Sequence, residues 1–369
     1  MNKGLDRAQR SSGSGKVASP PSPRWDFAPP PDPEAVRTLE GALSLPRALC
    51  ALLAIRGFQD PETAKSFLRP RLSDLHPPED LPDLLTAVQR TRSALENGET
   101  ILVHGDYDVD GMAGVALLTR FLQGVGGRPV PFDPHRLRDG YDLGSAGLAA
   151  AREAGASLLV SVDCGIVAHD AVDQARSMGI DVVVTDHHAP GDTLPPAHAV
   201  INPARKDSSY PNPHLCGAAV AFKFCQGLAR ASGMDEGELH PFLDMVGLAT
   251  VADLVPLEGE NRVLARYGLR ALSQTENPGL RALMREAGIP KGEVSAGGVG
   301  FGLAPRLNAL GRLGEPRDGL RLLLTDDERE ARTLARKAEE INQERQGQDR
   351  QTLAEALSLL ELGYSPERD

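Results

Sequence analysis

Acidic and imidazole side chains follow three short apolar runs of the chain, each directly after the run ends. The runs and the polar segments behind them are 101–103 before His104-Gly105-Asp106-Tyr107-Asp108-Val109-Asp110-Gly111, 158–162 before Asp163-Cys164-Gly165, and 182–185 before Asp186-His187-His188. Short apolar runs rich in β-branched residues predict buried strands. The sequence therefore places its candidate chemistry at the ends of strands.

Helical stretches separate these runs, among them 114–124, 145–155 and 168–179. Strands that alternate with helices predict an α/β fold in which a parallel sheet carries helices on both faces. The carboxyl ends of parallel strands share one edge, and open α/β sheets bind ligands there. We therefore expect the three polar segments to meet at that edge. Asp253, which follows a predicted helix, lies in a segment able to fold back over it.

Carboxylates crowded at one edge cannot all stay ionised unaided, because each raises the pKa of the others. Bound cations relieve this conflict, and oxygen-rich ligands with one or two imidazoles favour Mn²⁺ or Mg²⁺, Mn²⁺ more so because of the histidines. Zinc is less favoured because the candidate ligands include no thiolate. The candidates exceed one coordination sphere, so two ions are expected. Two ions roughly 3.5–4 Å apart generate hydroxide and clamp a phosphoryl group for in-line displacement.

Each of these segments has a simpler interpretation when it stands alone. The Asp-x-Asp-x-Asp-Gly run resembles a calcium loop, but Leu117 stands six residues after Gly111, where an EF-hand has glutamate. A His-His pair is more often a surface feature than a functional one. The occurrence of all three segments after successive predicted strands favours the metal site.

Composition limits the class of protein. The chain has 369 residues and a formal net charge of −11, so any contact with nucleic acid must use a local basic patch. Its apolar stretches are too short for a membrane span, so no membrane partner is expected. The four cysteines form no Cys-x-x-Cys pair, which is typical of free thiols in a reducing cytoplasm.

Periodicity and composition divide the chain into four predicted regions. Residues 1–33 predict a disordered tail, and residues 34–98 a small helical module. Residues 99–325 predict the catalytic α/β domain. Residues 326–369 predict a long, charged connector helix.

Four segments, in this order, resemble the motifs of the DHH phosphoesterase superfamily: residues 104–111, Val162-Asp163-Cys164-Gly165, Asp186-His187-His188 and Val251-Ala252-Asp253. The likeness is greatest to the RecJ family of bacterial single-strand-specific exonucleases and covers residues from about 35 to the end. Further segments resemble that family in particular: residues 54–57, Arg136 with Gly140-Tyr141, Ile201-Asn202-Pro203, Cys216-Gly217-Ala218 and the run from Pro305 to Arg312. Family members carry a further domain after the long helix, so the resemblance implies that a core ending at Asp369 holds DNA weakly.

The resemblance implies a role for each matched residue. The implied metal ligands are Asp108, Asp110, Asp163, His187 and Asp253, with Asp163 bridging two ions. Asp106 and His104 belong to the same motif, as ligands or as supporting partners, Asp106 with a catalytic role. His188 would meet the scissile phosphate. The implied nucleic-acid contacts are Arg136, Arg306 and Arg312, with Asn308 holding an arginine or the phosphate.

The function that the resemblance implies is a 5′→3′ exonuclease that uses two Mn²⁺ or Mg²⁺ ions to hydrolyse single-stranded DNA to 5′-mononucleotides, in DNA repair and recombination. The implied partners are single-stranded DNA, a single-strand-binding protein and a RecQ-type helicase. Two alternatives remain. The first is an oligoribonuclease, cyclic-dinucleotide phosphodiesterase or polyphosphatase of the same superfamily, against which the run from Pro305 to Arg312 argues. The second is a non-catalytic replication scaffold, against which the complete set of metal-site acids argues.

Overall fold

A sheet of five parallel strands organises the part of the chain that carries these motifs. The computed structural model describes residues 24–136 and 138–363. The strand order is β2-β1-β3-β4-β5. The strands are β1 (Thr100–His104), β2 (Arg128–Phe132), β3 (Leu158–Val162), β4 (Asp181–Thr185) and β5 (Ala199–Ile201). Each neighbouring pair is parallel, so the strands end at one edge, as predicted.

Helices account for most of the remaining described residues. They are α1 (Pro33–Leu43), α2 (Arg47–Ile55), α3 (Pro61–Leu68), α4 (Leu84–Glu96), α5 (Val109–Gly124), α6 (Ser145–Glu153), α7 (His169–Ser177), α8 (Gly217–Ser232), α9 (Leu243–Ala252), α10 (Gly259–Ser273), α11 (Pro278–Glu286), α12 (Ala296–Gly298), α13 (Ala304–Leu313), α14 (Pro316–Leu324) and α15 (Glu328–Gly363). A π-helical turn, Val299–Leu303, joins α12 to α13. Short 3₁₀ turns lie at Leu72–Asp74, Pro78–Asp80 and Glu236–Phe242.

Both faces of the sheet are covered because alternate strand residues point to opposite sides. Val103 of β1 belongs to a buried cluster with Val115 of α5 and Ala218 of α8. Its neighbour Leu102 belongs to a second buried cluster with Leu148 of α6. The predicted fold class, a parallel sheet with helices on both faces, is confirmed.

The strands predicted from the sequence do not include the two edge strands, β2 and β5. β2 reads Arg-Pro-Val-Pro-Phe, and proline, which has no N–H to donate, is found inside strands chiefly at the edge of a sheet. β5 has three residues, too few for a recognisable pattern. The prolines of β2 and the shortness of β5 therefore explain why neither strand was predicted.

Internal contacts divide the chain into two units, with the boundary between Lys65 and Ser66. In the first unit, α1 and α2 bury Val36, Leu39 and Leu53. In the second unit, α4 packs against α8, although the sequence analysis groups its residues with the amino-terminal module. The four predicted domain boundaries stay predictions, and residues 1–23 of the predicted tail lie outside the described residues.

The long predicted helix near the end of the sequence is α15, which spans 36 residues. Its first turns bury Ala331, Leu334 and Ala338 against the rest of the second unit. The four cysteines are free and buried. Within the described residues, the structure contains no helix of the length and apolarity that a membrane crossing requires.

Candidate metal centre

The loop between β1 and α5 carries the first group of acids. Asp108 caps α5, because its Oδ1 accepts hydrogen bonds from the N–H groups of Asp110 (2.9 Å) and Gly111 (3.2 Å). A Cβ at Gly111 would collide with the carbonyl oxygen of Asp106, so only glycine permits this close turn. The loop therefore holds the three alternating aspartates at the carboxyl end of β1.

Asp110 is fixed by the start of another helix. Its two carboxylate oxygens accept hydrogen bonds from the N–H groups of Gly217 (2.6 Å) and Ala218 (2.7 Å), the first residues of α8. A helix amino terminus offers free N–H donors and positive potential, which suit a carboxylate. The Cys216-Gly217-Ala218 segment thus has a structural role that the sequence analysis did not identify.

Asp163 follows β3 with a left-handed backbone, at a φ of 63°. This conformation is unfavourable for a residue with a Cβ and is found at functional sites when the surroundings enforce it. Here α8 encloses it, since a Cβ at Gly217 would lie 2.5 Å from the Asp163 Cβ. The Asp163 Oδ1 lies 3.0 Å from His187 Nε2 and 3.9 Å from His188 Nδ1.

Asp186 orients the two histidines that follow it. Its carboxylate accepts hydrogen bonds from the N–H groups of His187 (2.7 Å), His188 (3.0 Å) and Ile166 (3.0 Å). The imidazole of His188 contributes a fourth contact, from Nδ1 at 2.8 Å. His188 Nε2 then faces outward, 3.3 Å from the hydroxyl of Tyr141. The buried Asp186 therefore positions the histidines rather than the substrate.

Three groups of donor atoms converge at this edge, each with its members within 4.8 Å of one another. The groups are Asp163 with His187 and His188, Asp110 with His187 and Asp253, and Asp106 with Asp108 and Asp163. Asp253, at the end of α9, does fold back over the sheet edge, and its Oδ2 lies 3.9 Å from His187 Nδ1. Asp163 and His187 are each shared by two groups, which suits a site for more than one cation.

Burial makes this cluster electrostatically unfavourable by itself. It raises the pKa of Asp106 to about 7, with a further contribution from Asp108, and that of Asp110 to about 6. Burial and the charge of Asp110 hold the pKa of Asp163 well above its ordinary value. Among the described residues, Asp106 Oδ1 has no hydrogen-bond partner, and Asp163 Oδ1 and His187 Nε2 lie 3.0 Å apart without forming a hydrogen bond. Unpartnered, buried oxygen and imidazole donors fit divalent cations such as Mn²⁺ or Mg²⁺.

His188, next to His187 in sequence, has a raised pKa that favours its charged form. The hydrogen bond and negative charge of Asp186 raise the pKa of His188 to about 9, despite partial burial. Burial would raise the pKa of Asp186, but its hydrogen bonds with His188 lower it. The pair places a cationic imidazole at the mouth of the acidic cluster.

Several predicted site residues lie elsewhere. His104 is fully buried, with Nδ1 3.5 Å from the Cys164 Sγ, and belongs to none of the three groups. Arg306 pairs with Glu339 of α15 at 2.5 Å and donates to the carbonyl of Gly302. The structure does not bring His104 into the centre, and it directs the Arg306 guanidinium toward α15.

The other predicted contacts lie around the first loop. Asn308 accepts a hydrogen bond from the N–H of Val109 at 3.1 Å and so holds the loop instead of an arginine. The exposed Arg136 guanidinium lies 5.2 Å from the centre of the Tyr107 ring. Arg312 is also exposed.

Two acids near the centre had no assigned role in the sequence analysis. Asp142, with a φ of 74°, accepts a hydrogen bond from the N–H of Gly165 at 2.6 Å and supports the turn after β3. Asp133 follows β2, and both of its buried oxygens lack a hydrogen-bond partner in the described ranges. Recognition of β2 would have placed Asp133 at the same sheet edge.

The chain is similar to known proteins over most of its length. Residues 100–250 match the family described as "DHH family, N-terminal domain". The single-stranded-DNA-specific exonuclease RecJ of Bacillus subtilis (strain 168) is 35% identical over 339 residues, which are 92% of this chain and 42% of that protein. RecJ of Escherichia coli (strain K12) is 37% identical, over 89% of this chain and 58% of that protein. The chain thus spans about half the length of these curated relatives.

Solved structures of RecJ proteins are similar to this chain as well. RecJ from Thermus thermophilus in complex with Mn²⁺ matches with a TM-score of 0.77 and 34% identity, over 90% of this chain and 47% of that one. An exonuclease RecJ bound to manganese matches with a TM-score of 0.70 and 37% identity, over 78% of this chain and 72% of that one. Given this identity and coverage, the chain belongs to the RecJ family of DHH-domain proteins.

Proposed function

We propose that this chain is a metal-dependent exonuclease that hydrolyses single-stranded DNA from the 5′ end to 5′-mononucleotides. The observation that carries the proposal is the convergence of three donor groups that share Asp163 and His187. Such a shared arrangement suits two cations on one phosphate. The names of the relatives supply the substrate class.

The residues that would hold the ions are Asp108, Asp110, Asp163, His187 and Asp253, with Asp163 as the carboxylate that two donor groups share and Asp106 as a further donor. When bound, two Mn²⁺ or Mg²⁺ ions lower the pKa of water and neutralise charge on the phosphoryl group. The protein fixes the donors in advance. α8 binds Asp110 through two N–H groups, and the turn after β3 presents Asp163 in its left-handed conformation.

His188 is proposed to contact the scissile phosphate. Its Nδ1 is bound to Asp186, which leaves Nε2 directed outward beside the Tyr141 hydroxyl. A cationic imidazole there donates a hydrogen bond to a phosphate oxygen and stabilises the charge that develops during displacement. The ring does not have to reorient during the reaction, because Asp186 holds it.

Arg136 and Arg312 are the proposed contacts to the DNA backbone, since both guanidinium groups are exposed beside the first loop. A guanidinium binds phosphate oxygens in a bidentate manner. Arg306 would contribute indirectly, by fixing α13 to α15, because its guanidinium is paired with Glu339. His104, the last residue of β1, is buried against Cys164 and would support the centre from the core side.

The wider biology is proposed from the family alone. We place the activity in DNA repair and recombination in the cytoplasm, with a single-strand-binding protein and a RecQ-type helicase as partners. The predicted division into tail, helical module, catalytic domain and connector helix belongs to the same proposal.

The test is hydrolysis of one oligonucleotide labelled at either end, with Mn²⁺, Mg²⁺ or EDTA. The proposal expects the 5′ label to leave at once as a mononucleotide, while the 3′-labelled strand shortens gradually. EDTA should abolish both reactions. Release of the 3′ label first, or faster hydrolysis of a dinucleotide than of the long strand, would contradict it and favour the oligoribonuclease alternative.

A further inference from the structure

A groove of about 670 Å³ runs beside the metal centre. One wall follows α9 and includes Ala252 and Leu254, the two neighbours of Asp253 in sequence. The opposite wall is the π-helical turn before α13, together with Asn308, which holds the first loop. Both walls are therefore attached directly to residues of the centre.

The groove has two large apolar side chains that the fold leaves in water. Phe301, in the π-helical turn, is 89% exposed, and Leu254 is 85% exposed. Both side chains line this groove, and exposed apolar side chains gathered in one groove are typical of binding surfaces. Phe301 is flanked in sequence by Gly300 and Gly302, which have no side chains. An added Cβ at Gly300 would meet no described atom within 4 Å.

The backbone at Leu254 is also unusual. Its φ is 60°, a left-handed conformation that is unfavourable for a leucine. The residue directly follows Asp253, so the turn that brings Asp253 to the centre also projects Leu254 into the groove. π-helical turns are rare, and they occur often at functional sites. An unfavourable backbone conformation on one wall and a rare helical turn on the other are consistent with a surface kept for a ligand.

The charge of the lining indicates which ligand. Its charged side chains are Arg312 and Arg345, and no carboxylate lines it among the residues that the structure describes. This composition stands out in a chain whose net charge is −11. Arg345 is partly neutralised by Asp349 at 2.9 Å, whereas Arg312 makes no ion pair with any described side chain. An apolar groove that contains the guanidinium of Arg312, unpaired among the described side chains, suits an anionic ligand that also has flat apolar faces.

We propose that this groove binds an unstacked base of the single strand next to the scissile phosphate, with Phe301 stacking on the base, Leu254 forming the opposite contact, and Arg312 binding the adjoining phosphate. The inference rests on the proposed function and adds a base-binding subsite to it. Stacking on an aromatic ring does not depend on base identity, because every base has a π-face. The subsite therefore holds a strand without selecting its sequence.

The experiment measures KM for Mn²⁺-dependent hydrolysis of an oligothymidylate and of a matched series in which one abasic site is moved along the strand. In the unmodified chain, one abasic position near the 5′ end should raise KM about tenfold, the size of one lost stacking contact. Phe301→Ala should raise KM for the intact strand by a similar factor, and that abasic position should then have no further effect. Phe301→Trp should keep the unmodified behaviour.

Leu357→Ala, which removes an exposed leucine of α15 outside the groove, is the matched control and should leave KM unchanged. If no abasic position raises KM and Phe301→Ala matches the unmodified chain, the groove has another occupant and the proposal is overturned. The abasic series uses the unmodified chain, so this outcome does not depend on the variant folding. An unmodified chain that does not hydrolyse the intact strand would overturn the proposed function, and the groove assignment with it.

Discussion

Asn308 and Val109 lie 199 positions apart in the sequence, yet the side-chain oxygen of Asn308 accepts a 3.1 Å hydrogen bond from the N–H of Val109. Val109 is the first residue of α5, between Asp108 and Asp110. One turn later in α13, a Cβ at Gly311 would collide with the Tyr107 carbonyl oxygen. Helix α13 therefore buttresses the loop that carries the first acids.

We expect Asn308→Leu to lower kcat about tenfold or more, because a small displacement of the loop misplaces the metal donors. Asn308→Asp, which keeps an accepting oxygen, should retain most of the activity. The measurements are kcat and the Mn²⁺ dependence of the rate. A role limited to general stability would lower the melting temperature of Asn308→Leu without changing its Mn²⁺ requirement.

Asp163→Ala should lower turnover by several orders of magnitude, since the donor shared by two groups is lost and both the generation of hydroxide and the neutralisation of phosphate fail. DNA binding should be less affected than cleavage. Calorimetry should also detect weaker Mn²⁺ binding. Asp170→Ala, which removes an exposed acid at the start of α7, is the control and should behave as the unmodified chain. Near-normal Mn²⁺-dependent activity of Asp163→Ala would disprove the shared-ligand assignment.

The two arginines of α13 should respond differently to substitution. Arg312→Ala should weaken binding of single-stranded DNA and reduce the slope of log affinity against log salt by about 0.7, the value for one lost phosphate contact. Arg306→Ala instead leaves Glu339 without its partner and should destabilise the protein by about 1–3 kcal/mol. Salt titrations and chemical unfolding of both variants separate the two effects. An unchanged salt slope for Arg312→Ala would remove it from the substrate path.

Much of the centre was predictable because local patterns specify it. Acids directly after apolar runs are assembled by any parallel sheet, so Asp108, Asp163 and His187 could be placed together from the sequence. Asp253 was harder, because its position depends on how α9 packs. Helix α9 packs closely on α10, and a Cβ at Gly247 of α9 would lie 2.5 Å from the backbone of Gly268 in α10. The two helices therefore contact each other through glycines.

Other features depend on contacts between distant segments, which no local pattern encodes. The start of α8, which fixes Asp110, lies more than a hundred residues away from it in sequence. Arg306, one of the three arginines predicted to bind the nucleic acid, is paired with Glu339 of α15. The position of His104 in the motif suggested a ligand or a supporting partner. As the last residue of β1, however, it is directed into the core toward Cys164. Side-chain direction at the end of a strand is therefore the least predictable property of this site.

Gly217 is the residue at which packing and chemistry are most closely joined. A Cβ there would lie 2.5 Å from the Asp163 Cβ, and the Gly217 N–H donates to Asp110 at 2.6 Å. We expect Gly217→Ala to destabilise the protein by about 1–3 kcal/mol, as overpacking does. It should also lower Mn²⁺ affinity, because both carboxylates must move. Gly347→Ala in α15, where a Cβ meets no described atom within 4 Å, is the control and should be neutral or stabilising by up to ~1 kcal/mol. Chemical unfolding and Mn²⁺ calorimetry of the two variants make the comparison. If Gly217→Ala loses stability but binds Mn²⁺ as the unmodified chain does, the start of α8 supports the fold alone, and Asp163 is positioned by β3 and its own turn.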